Sequence, residues 1–333
     1  MTALPPTLVQ RVFEALADGA VHSGEQLASD QDVSRSAIWK AVGALQELGV
    51  EIEAATHRGY RLARPVTPLS AAKIRAQLSP PVRAVLRDAE VAWTLGSTND
   101  ALLSRSELPV GRMDLVAAEY QTAGRGRRAR PWFAPPGGAL CLSLGWSFAA
   151  LPRGAAALSL AVGVCALRAL ATLGSVPVGL KWPNDLVARG RKLGGILIEL
   201  RAESAGPAYI VIGLGINCAL GATLVRQVQA AGTEPIDLAT LGFGGCDRNR
   251  LAAALVEEIV LGVHEFELRG LAPFAPAWKA ADALAGQVVR IATHTGEFIG
   301  HARGIDVDGA LCVQGPSGLQ RFNSGEVTVR VQA

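Results

Sequence analysis

The chain has 333 residues, more than one typical domain holds, so we expect two or three domains. Hydrophobic residues make up 50% of it and charged residues 18%, which is enough to bury a sizeable core. The net charge of +3 is small and argues against a general nucleic-acid coat and against a protein of the membrane surface.

The first predicted unit covers residues 1–64. Apolar residues recur at helical spacing over Leu8–Leu16, and Ser23 and Ser34 are suited to cap two further helices. A turn at His57–Gly59 then joins two short runs into a hairpin. Three helices followed by a hairpin predict a winged helix-turn-helix, and a structural cap without DNA contact is the alternative.

The second and third predicted units are residues 65–278 and 279–333. The second mixes strands and helices without a regular β-α-β repeat, with an antiparallel meander over 176–218 and helices near 154–173 and 248–268. This pattern predicts an α+β fold with a mixed sheet rather than a doubly wound α/β fold. The third unit alternates apolar positions between glycine turns, which predicts a small β-barrel.

The sharpest motif is the stretch Gln121–Trp132, in which four arginines fall among glycine and alanine spacers. Glycine lets the backbone approach a ligand closely, and its N–H groups can point inward. Arginine offers forked donors to phosphate or carboxylate oxygens. The stretch is therefore typical of a loop that encloses an anion, with a solvated basic surface loop as the alternative.

Four further segments place polar or small residues at strand ends and turns: Gly96–Asp100, Lys181–Asp185, Arg191–Glu199 and Gly213–Asn217. If the second and third of these form a hairpin, the side chains of Lys181, Asp185 and Lys192 converge. Small residues in the last segment can admit a flat ring. Taken singly, each segment also fits an ordinary turn or helix cap.

Together and in this order, these segments resemble the biotin protein ligase family, whose motifs are S-T-N, Q-x-A-G-R-G-R, K-W-P-N-D, R-K-x-x-G-I-L and G-x-G-I-N. The resemblance is strongest over residues 90–218. The flanking units resemble the long form of the family, the bifunctional biotin ligase and biotin-operon repressor. The resemblance implies a winged helix-turn-helix, a mixed-sheet α+β ligase domain and an SH3-like β-barrel. Lipoate–protein ligases share the catalytic fold, but their R-R-x-x-G-G-G motif is absent from this sequence.

The resemblance implies an enzyme that uses ATP to convert biotin to biotinyl-adenylate and transfers biotin to a lysine of a biotin carboxyl carrier protein. It implies a biotin pocket lined by Ser97, Thr98, Asn99, Gln121, Gly124, Arg125 and Gly195. It implies contacts to ATP or the adenylate from Arg125, Gly126, Arg127, Trp132, Lys192 and Asn217. It implies catalytic roles for Arg127, Lys192, Lys181 and Asp185. Ala129 and Gly194 depart from the family's usual glycine and alanine, and neither change removes a charged group.

The chemistry explains why cations are needed. A carboxylate must attack the α-phosphate of ATP, and the two anions repel each other unless charge is neutralised and water excluded. The arginine loop and Lys192 are expected to supply the charge, and Asp185 to orient or deprotonate the carrier lysine. The glycine-rich loop is expected to close over the reactive adenylate. The family implies Mg²⁺ on the ATP phosphates, but no magnesium motif is visible and we assign no metal ligand.

The long form implies a second function, repression of the biotin operon. Residues 1–65 hold six Lys or Arg against eight Asp or Glu, a balance unfavourable for phosphate contact. Four cations on the predicted recognition helix and wing are expected to contact DNA: Arg35, Lys40, Arg58 and Arg61. Trp39 could face either the DNA groove or the core, and the core is the expected position. A homodimer formed when the adenylate is bound would read a two-fold operator, and a ligase with a vestigial helix-turn-helix is the alternative.

Cysteine usage and hydropathy bear on location. Five cysteines lie far apart without a C-x-x-C pair: Cys141, Cys165, Cys218, Cys246 and Cys312. This set predicts reduced, buried thiols and argues against a zinc site. The N-terminus lacks a signal pattern, and the most apolar stretch, 154–167, is too short to span a bilayer and predicts a buried helix. We therefore expect a cytoplasmic protein without a membrane partner.

Overall fold

The computed structural model describes residues 7–55, 58–105, 108–202, 206–293, 296–324 and 328–331. Within these ranges the strands form sheets of two, seven and five members. His57, expected in the turn of the N-terminal hairpin, lies outside the described residues.

The N-terminal unit is a winged helix-turn-helix, as predicted. Its elements are α1 (Leu8–Leu16), α2 (Gly24–Asp30), α3 (Arg35–Glu47), β1 (Ile52–Ala55) and β2 (Gly59–Leu62). The side chains of Ser23 and Ser34 accept backbone N–H groups at the starts of α2 and α3, so the capping predictions are confirmed. The two strands pair antiparallel, with Ile52 opposite Leu62.

The central unit is built on the seven-stranded sheet. Its helices are α4 (Ala71–Gln77), α5 (Pro80–Val85), α6 (Thr98–Leu103), α7 (Leu158–Ala171), α8 (Ala222–Ala230), α9 (Arg248–Arg269) and α10 (Ala275–Ala280). Its strands are β3 (Leu86–Leu95), β4 (Met113–Gln121), β5 (Ala139–Phe148), β6 (Gly179–Lys181), β7 (Asp185–Ala188), β8 (Arg191–Ala202) and β9 (Ala208–Asn217).

The strands of this sheet lie in the order β3-β4-β5-β9-β8-β7-β6. Only the β3–β4 pair is parallel among the strand pairs that the structure describes in this sheet, so the predicted mixed sheet and the antiparallel meander are confirmed. The apolar stretch predicted as a buried helix is α7, which packs with α9 on one face of the sheet against side chains such as Leu142, Ile212 and Leu214. Neither α7 nor α9 covers the opposite face of this sheet.

The C-terminal unit is a five-stranded antiparallel sheet. Its strands are β10 (Val288–Thr293), β11 (Gly296–Ile305), β12 (Leu311–Gly315), β13 (Gly318–Phe322) and β14 (Thr328–Val331), in the order β13-β12-β11-β10-β14. In the described ranges β13 and β14 are the outer strands and do not pair, so the sheet is open and a closed SH3-like barrel is not confirmed. A β domain at this end is confirmed. The indole N–H of Trp182 donates to the Gly309 carbonyl at 3.0 Å and ties this unit to the central one.

The cysteines are free thiols, and Cys246 alone of the five is only half-buried. Burial raises the pKa of the Cys141 thiol to about 11 and that of Cys165 to about 12, which keeps both protonated near neutral pH. Buried free thiols were predicted and are confirmed for four of the five. Within the described ranges, no helix combines the length and the apolar character needed to cross a membrane.

Candidate active site

The floor of the site is the face of the large sheet that α7 and α9 leave uncovered. Gly213 and Gly215 of β9 lie on this face, two residues apart. A Cβ added at Gly213 would stand 2.1 Å from Asn99 Oδ1, and one at Gly215 would stand 2.5 Å from Trp132 Cε2. The sequence therefore needs glycine at both positions, because an amide and an indole ring lie directly on the strand.

A buried polar cluster stands over this floor. Ser143 Oγ donates to Asn99 Oδ1 at 2.6 Å and lies 2.7 Å from Thr98 Oγ1, while the backbone N–H of Thr98 donates to Gln121 Oε1 at 2.8 Å. Ser97 caps α6 and is also buried. Three of the residues expected in a biotin pocket, Thr98, Asn99 and Gln121, thus share one hydrogen-bonded network. Ser143 was missed in the sequence, because a serine inside an apolar strand carries no local signal.

Arg125 is clamped between two carboxylates. Its guanidinium forms ion pairs with Asp100 and with Glu199, whose Oε1 lies 2.9 Å from Nη2. The hydrogen bonds to Asp100, which have the larger effect, and to Glu199 raise the pKa of Arg125 above the ordinary arginine value. Glu199 also accepts Asn99 Nδ2 at 2.7 Å, so this one carboxylate fixes both a pocket amide and a pocket cation.

The arginine loop folds back on itself through close backbone contacts. Trp132 N–H donates to Gly124 O at 2.8 Å, and Gly126 N–H donates to Arg130 O at 2.7 Å. Arg128 and Ala129 adopt φ of 57° and 55°, in the left-handed region that side chains with a Cβ disfavour. The family's usual glycine would relieve that strain at Ala129, so the departure seen in the sequence has a backbone cost and no electrostatic one.

Arg127 reaches across two units of the chain. Its side chain is half-buried, and this burial lowers its pKa from the ordinary arginine value. Its Nη1 lies 3.5 Å from Asn184 Oδ1, and its Nη2 donates to the backbone carbonyl of Ser324 in the C-terminal unit. The loop cation therefore lies between the turn after β6 and the C-terminal sheet.

The pairing of β6 with β7 and of β7 with β8 brings Lys181, Asp185 and Lys192 together, as expected if their two segments formed a hairpin. Lys192 Nζ lies 2.7 Å from Asp185 Oδ1, and Asp185 pairs directly with Lys181 in the β6–β7 register. Lys192 Nζ also stands 5.9 Å from the centroid of the Trp132 ring. Gly195 adjoins this group, since a Cβ there would lie 3.4 Å from Lys192 Nζ. A cation, a carboxylate and an aromatic face thus occupy one corner of the site.

Asn217 is buried, and its amide is already engaged. Its Nδ2 donates to Lys192 O at 3.3 Å and to Ile236 O at 3.0 Å. Lys192 N–H in turn donates to Glu234 O at 2.7 Å. The segment 234–238 therefore borders the site, and sequence reasoning missed it because no motif marks it. Its one signal is Asp237, a buried carboxylate that accepts backbone N–H groups on both sides.

The four cations expected to contact DNA are all exposed: Arg35, Lys40, Arg58 and Arg61. Arg61 pairs with Glu53 at 2.6 Å on the wing, which offsets part of its charge. The expectation that Trp39 packs into the core is wrong, because it is 66% exposed. Ile38 faces the core, and the next residue lies about 100° around the helix.

Three family models match this chain. The Biotin/lipoate A/B protein ligase family matches residues 93–217, an HTH domain matches 10–61, and the Biotin protein ligase C terminal domain matches 285–330. The first match spans the arginine loop, β8 with Gly195 and β9 with Gly213 and Gly215. The other two fall on the N-terminal and C-terminal units.

Curated proteins and a solved structure give the same relationship. An Escherichia coli protein named bifunctional ligase/repressor BirA is 38% identical over 327 residues, covering 97% of this chain and 98% of its own length. A Mycobacterium tuberculosis protein named biotin–acetyl-CoA-carboxylase ligase is 37% identical over 68% of this chain and 83% of its own length. A biotin protein ligase from Aquifex aeolicus, solved with biotin and ATP, shares the fold with a TM-score of 0.61 at 23% identity, covering 74% of this chain and 100% of that one. Similarity over the whole length, together with the three matched domains, shows that this chain belongs to the long form of the biotin protein ligase family.

Proposed function

We propose that this chain is an ATP-dependent biotin–protein ligase that also represses biotin synthesis genes through its helix-turn-helix. The observation that carries the ligase function is the gathering of the arginine loop, the Lys192–Asp185 pair and the glycine floor on one face of the sheet. The proposed domains are residues 1–64 for DNA, 65–278 for catalysis and 279–333 as an SH3-like barrel. The proposed location is the cytoplasm.

In the first half-reaction, the biotin carboxylate attacks the α-phosphate of ATP and pyrophosphate leaves. The pocket residues over the glycine floor would hold biotin, and Trp132 and Asn217 would border the adenine. Arg125, Arg127 and Lys192 would neutralise the two anions, and a partly buried cation acts more strongly than one in open water. Arg127 is half-buried, whereas Arg128 and Arg130 of the same loop are exposed, which supports a role at the junction of carboxylate and phosphate.

In the second half-reaction, a neutral carrier lysine attacks the acyl carbon of the adenylate and AMP leaves. Asp185 is the carboxylate beside Lys192, and we propose that it orients or deprotonates the incoming amine. Lys181, its register neighbour, would add a second cation beside that carboxylate. No nucleophilic cysteine is required, and burial raises the pKa of the Cys141 thiol, the cysteine in β5 below the site.

Magnesium does not fit a site made by the protein alone. Among the described residues, no three His, Cys, Asp or Glu side chains gather around one point. Asp100, Glu199 and Asp185 are each paired with Arg125 or Lys192. A magnesium ion would therefore enter with the ATP phosphates rather than reside in the protein.

The repressor function is supported by the helix-turn-helix and by full-length similarity to the bifunctional relatives. Arg35 and Lys40 on α3 and Arg58 and Arg61 on the wing are the proposed phosphate contacts. Only two cations lie on α3, so one copy would bind weakly and a homodimer assembled on the adenylate would double the contacts.

The ligase function is tested with purified full-length protein, ATP, biotin and a biotin carrier domain. Transfer is read as an avidin blot of the carrier, and AMP release gives the stoichiometry. We expect one AMP for each carrier lysine modified. Transfer of lipoate in preference to biotin would overturn the assignment and favour the lipoate ligases, which share the fold.

Arg127→Ala should weaken retention of biotinyl-adenylate about ten- to hundredfold and affect free biotin much less. The anionic junction exists only after ATP has reacted, and a hydrogen bond to a charged group is worth about 1.5–3 kcal/mol. Dissociation of radiolabelled adenylate and equilibrium binding of biotin give the two values. Arg130→Ala, an exposed arginine of the same loop, is the matched control. Equal weakening for both ligands would contradict the role.

Glu199→Gln should raise the KM for biotin about tenfold with a smaller change in kcat. The variant loses the charge that anchors Arg125 and must turn one N–H toward a donor, either Asn99 Nδ2 or the guanidinium. Asp100→Asn removes the more exposed carboxylate of the same clamp and should change KM less. The idea fails if the two variants raise KM equally, since Asp100 has no hydrogen bond to the pocket amide among those described.

A further inference from the structure

Trp39 stands on the outer face of α3, the second helix of the helix-turn-helix. The buried face of α3 consists of Ile38, Ala41, Val42 and Leu45, and it packs on the other N-terminal helices. Trp39 points away from it and is 66% exposed. A single exposed apolar side chain needs no explanation by itself, but this one lies on the face that a helix-turn-helix presents to the major groove.

The charge and the open surface around Trp39 favour contact with nucleic acid. From residue 34 to residue 45, α3 and its cap carry no carboxylate, whereas Arg35 and Lys40, which precede and follow Trp39 in the sequence, are exposed cations. Ser36, one turn earlier, is exposed as well. One turn later comes Gly43, and a Cβ added there would meet nothing within 4 Å, so no side chain blocks a close approach. Cations around an apolar centre are complementary to phosphates that flank an apolar group.

We propose that Trp39 packs against thymine methyl groups in the major groove and so determines which operator this chain binds. Among the groups that base pairs present there, the C5-methyl of thymine is the apolar one, while the rest are hydrogen-bond donors and acceptors. An indole ring has the area to cover such a methyl group, and the flanking cations fix the helix on the backbone. This inference rests on the proposed repressor function and adds the base that is read.

The test uses full-length protein with biotin and ATP. Duplexes are selected from a randomised pool, and thymines of the selected site are replaced in symmetric pairs by deoxyuridine, which lacks only the methyl group. For the wild type we expect about a tenfold loss of affinity at one such pair. Covering a methyl-sized group is worth about 0.8 kcal/mol in each half-site, and 1.4 kcal/mol corresponds to tenfold.

Trp39→Ala should bind the thymine duplex about tenfold more weakly and show no difference between thymine and deoxyuridine. Trp39→Phe should keep part of that difference, and the rate of biotin ligation should be unchanged in both variants. Leu268→Ala, at an 83% exposed leucine on α9, is the matched control and should leave DNA binding unaltered.

Two outcomes overturn the inference alone: unchanged affinity in Trp39→Ala, or an equal loss on thymine and deoxyuridine duplexes. Failure to select any duplex while the ligase is active would overturn the repressor function and this inference together. The two failures are therefore distinguishable.

Discussion

Replacing Lys192 with alanine should slow formation of biotinyl-adenylate by about 10²–10³-fold, the loss expected when one preorganised group that stabilises developing charge is removed. In the folded chain its Nζ lies 2.7 Å from Asp185 Oδ1 and 5.9 Å from the centroid of Trp132. Held in this way, the ammonium needs little rearrangement to meet two anions that repel each other. The rate is measured in a single turnover as pyrophosphate released at saturating biotin, so that weaker binding does not enter.

Two variants separate charge from structure at this corner. Lys192→Arg keeps a cation and should retain part of the rate, whereas Asp185→Asn should slow transfer from preformed adenylate to the carrier more than adenylation. The Lys192 side chain is 28% exposed, so its removal leaves no sealed cavity and the Tm should hardly change. A large fall in Tm, with both half-reactions reduced in proportion, would make Lys192 a structural residue instead.

Arg248→Met should lower the free energy of unfolding by about 3–5 kcal/mol, because it leaves the Glu119 carboxylate buried without its partner. The Arg248 and Glu119 side chains are 3% and 5% exposed, with Nη1 and Oε2 2.8 Å apart. Arg248 also donates to Thr67 O at 3.0 Å, and Glu119 accepts the N–H of Leu69 at 2.6 Å. The pair thus fastens the segment that connects the N-terminal unit to the large sheet.

Thermal melting of the full chain checks this prediction, and a fall in Tm of about 10 °C is expected for a protein of this size. Arg269→Met is the matched control, because Arg269 pairs with Glu265 at 3.2 Å on the same helix but is 66% exposed. That pair should contribute at most about 0.5 kcal/mol. Equal shifts in the two variants would show that burial of the Arg248 pair adds nothing.

The sequence alone determined those features that depend on neighbours in the chain. A serine cap acts on N–H groups two or three residues away, so the starts of α2 and α3 could be predicted from Ser23 and Ser34. The β7–β8 hairpin is equally local, and Lys192 and Asp185 converge as their spacing suggested. The direction of Trp39 was also within reach, since helical periodicity separates it from Ile38, but its apolar character favoured the core.

Tertiary structure decided what depends on residues far apart in the chain. Glu199 meets Arg125 across 74 positions and Asn99 across 100, and no spacing rule links strand β8 to the arginine loop or to α6. The contact between Arg127 and Ser324 likewise exists only because the C-terminal sheet packs on the central unit. The sequence could not show that β13 and β14 do not pair. The alternation of apolar residues indicates which face of a strand is buried, not whether the two outer strands of a sheet meet. A short motif specifies the chemistry of a side chain, but packing of the whole chain decides which partner restrains it.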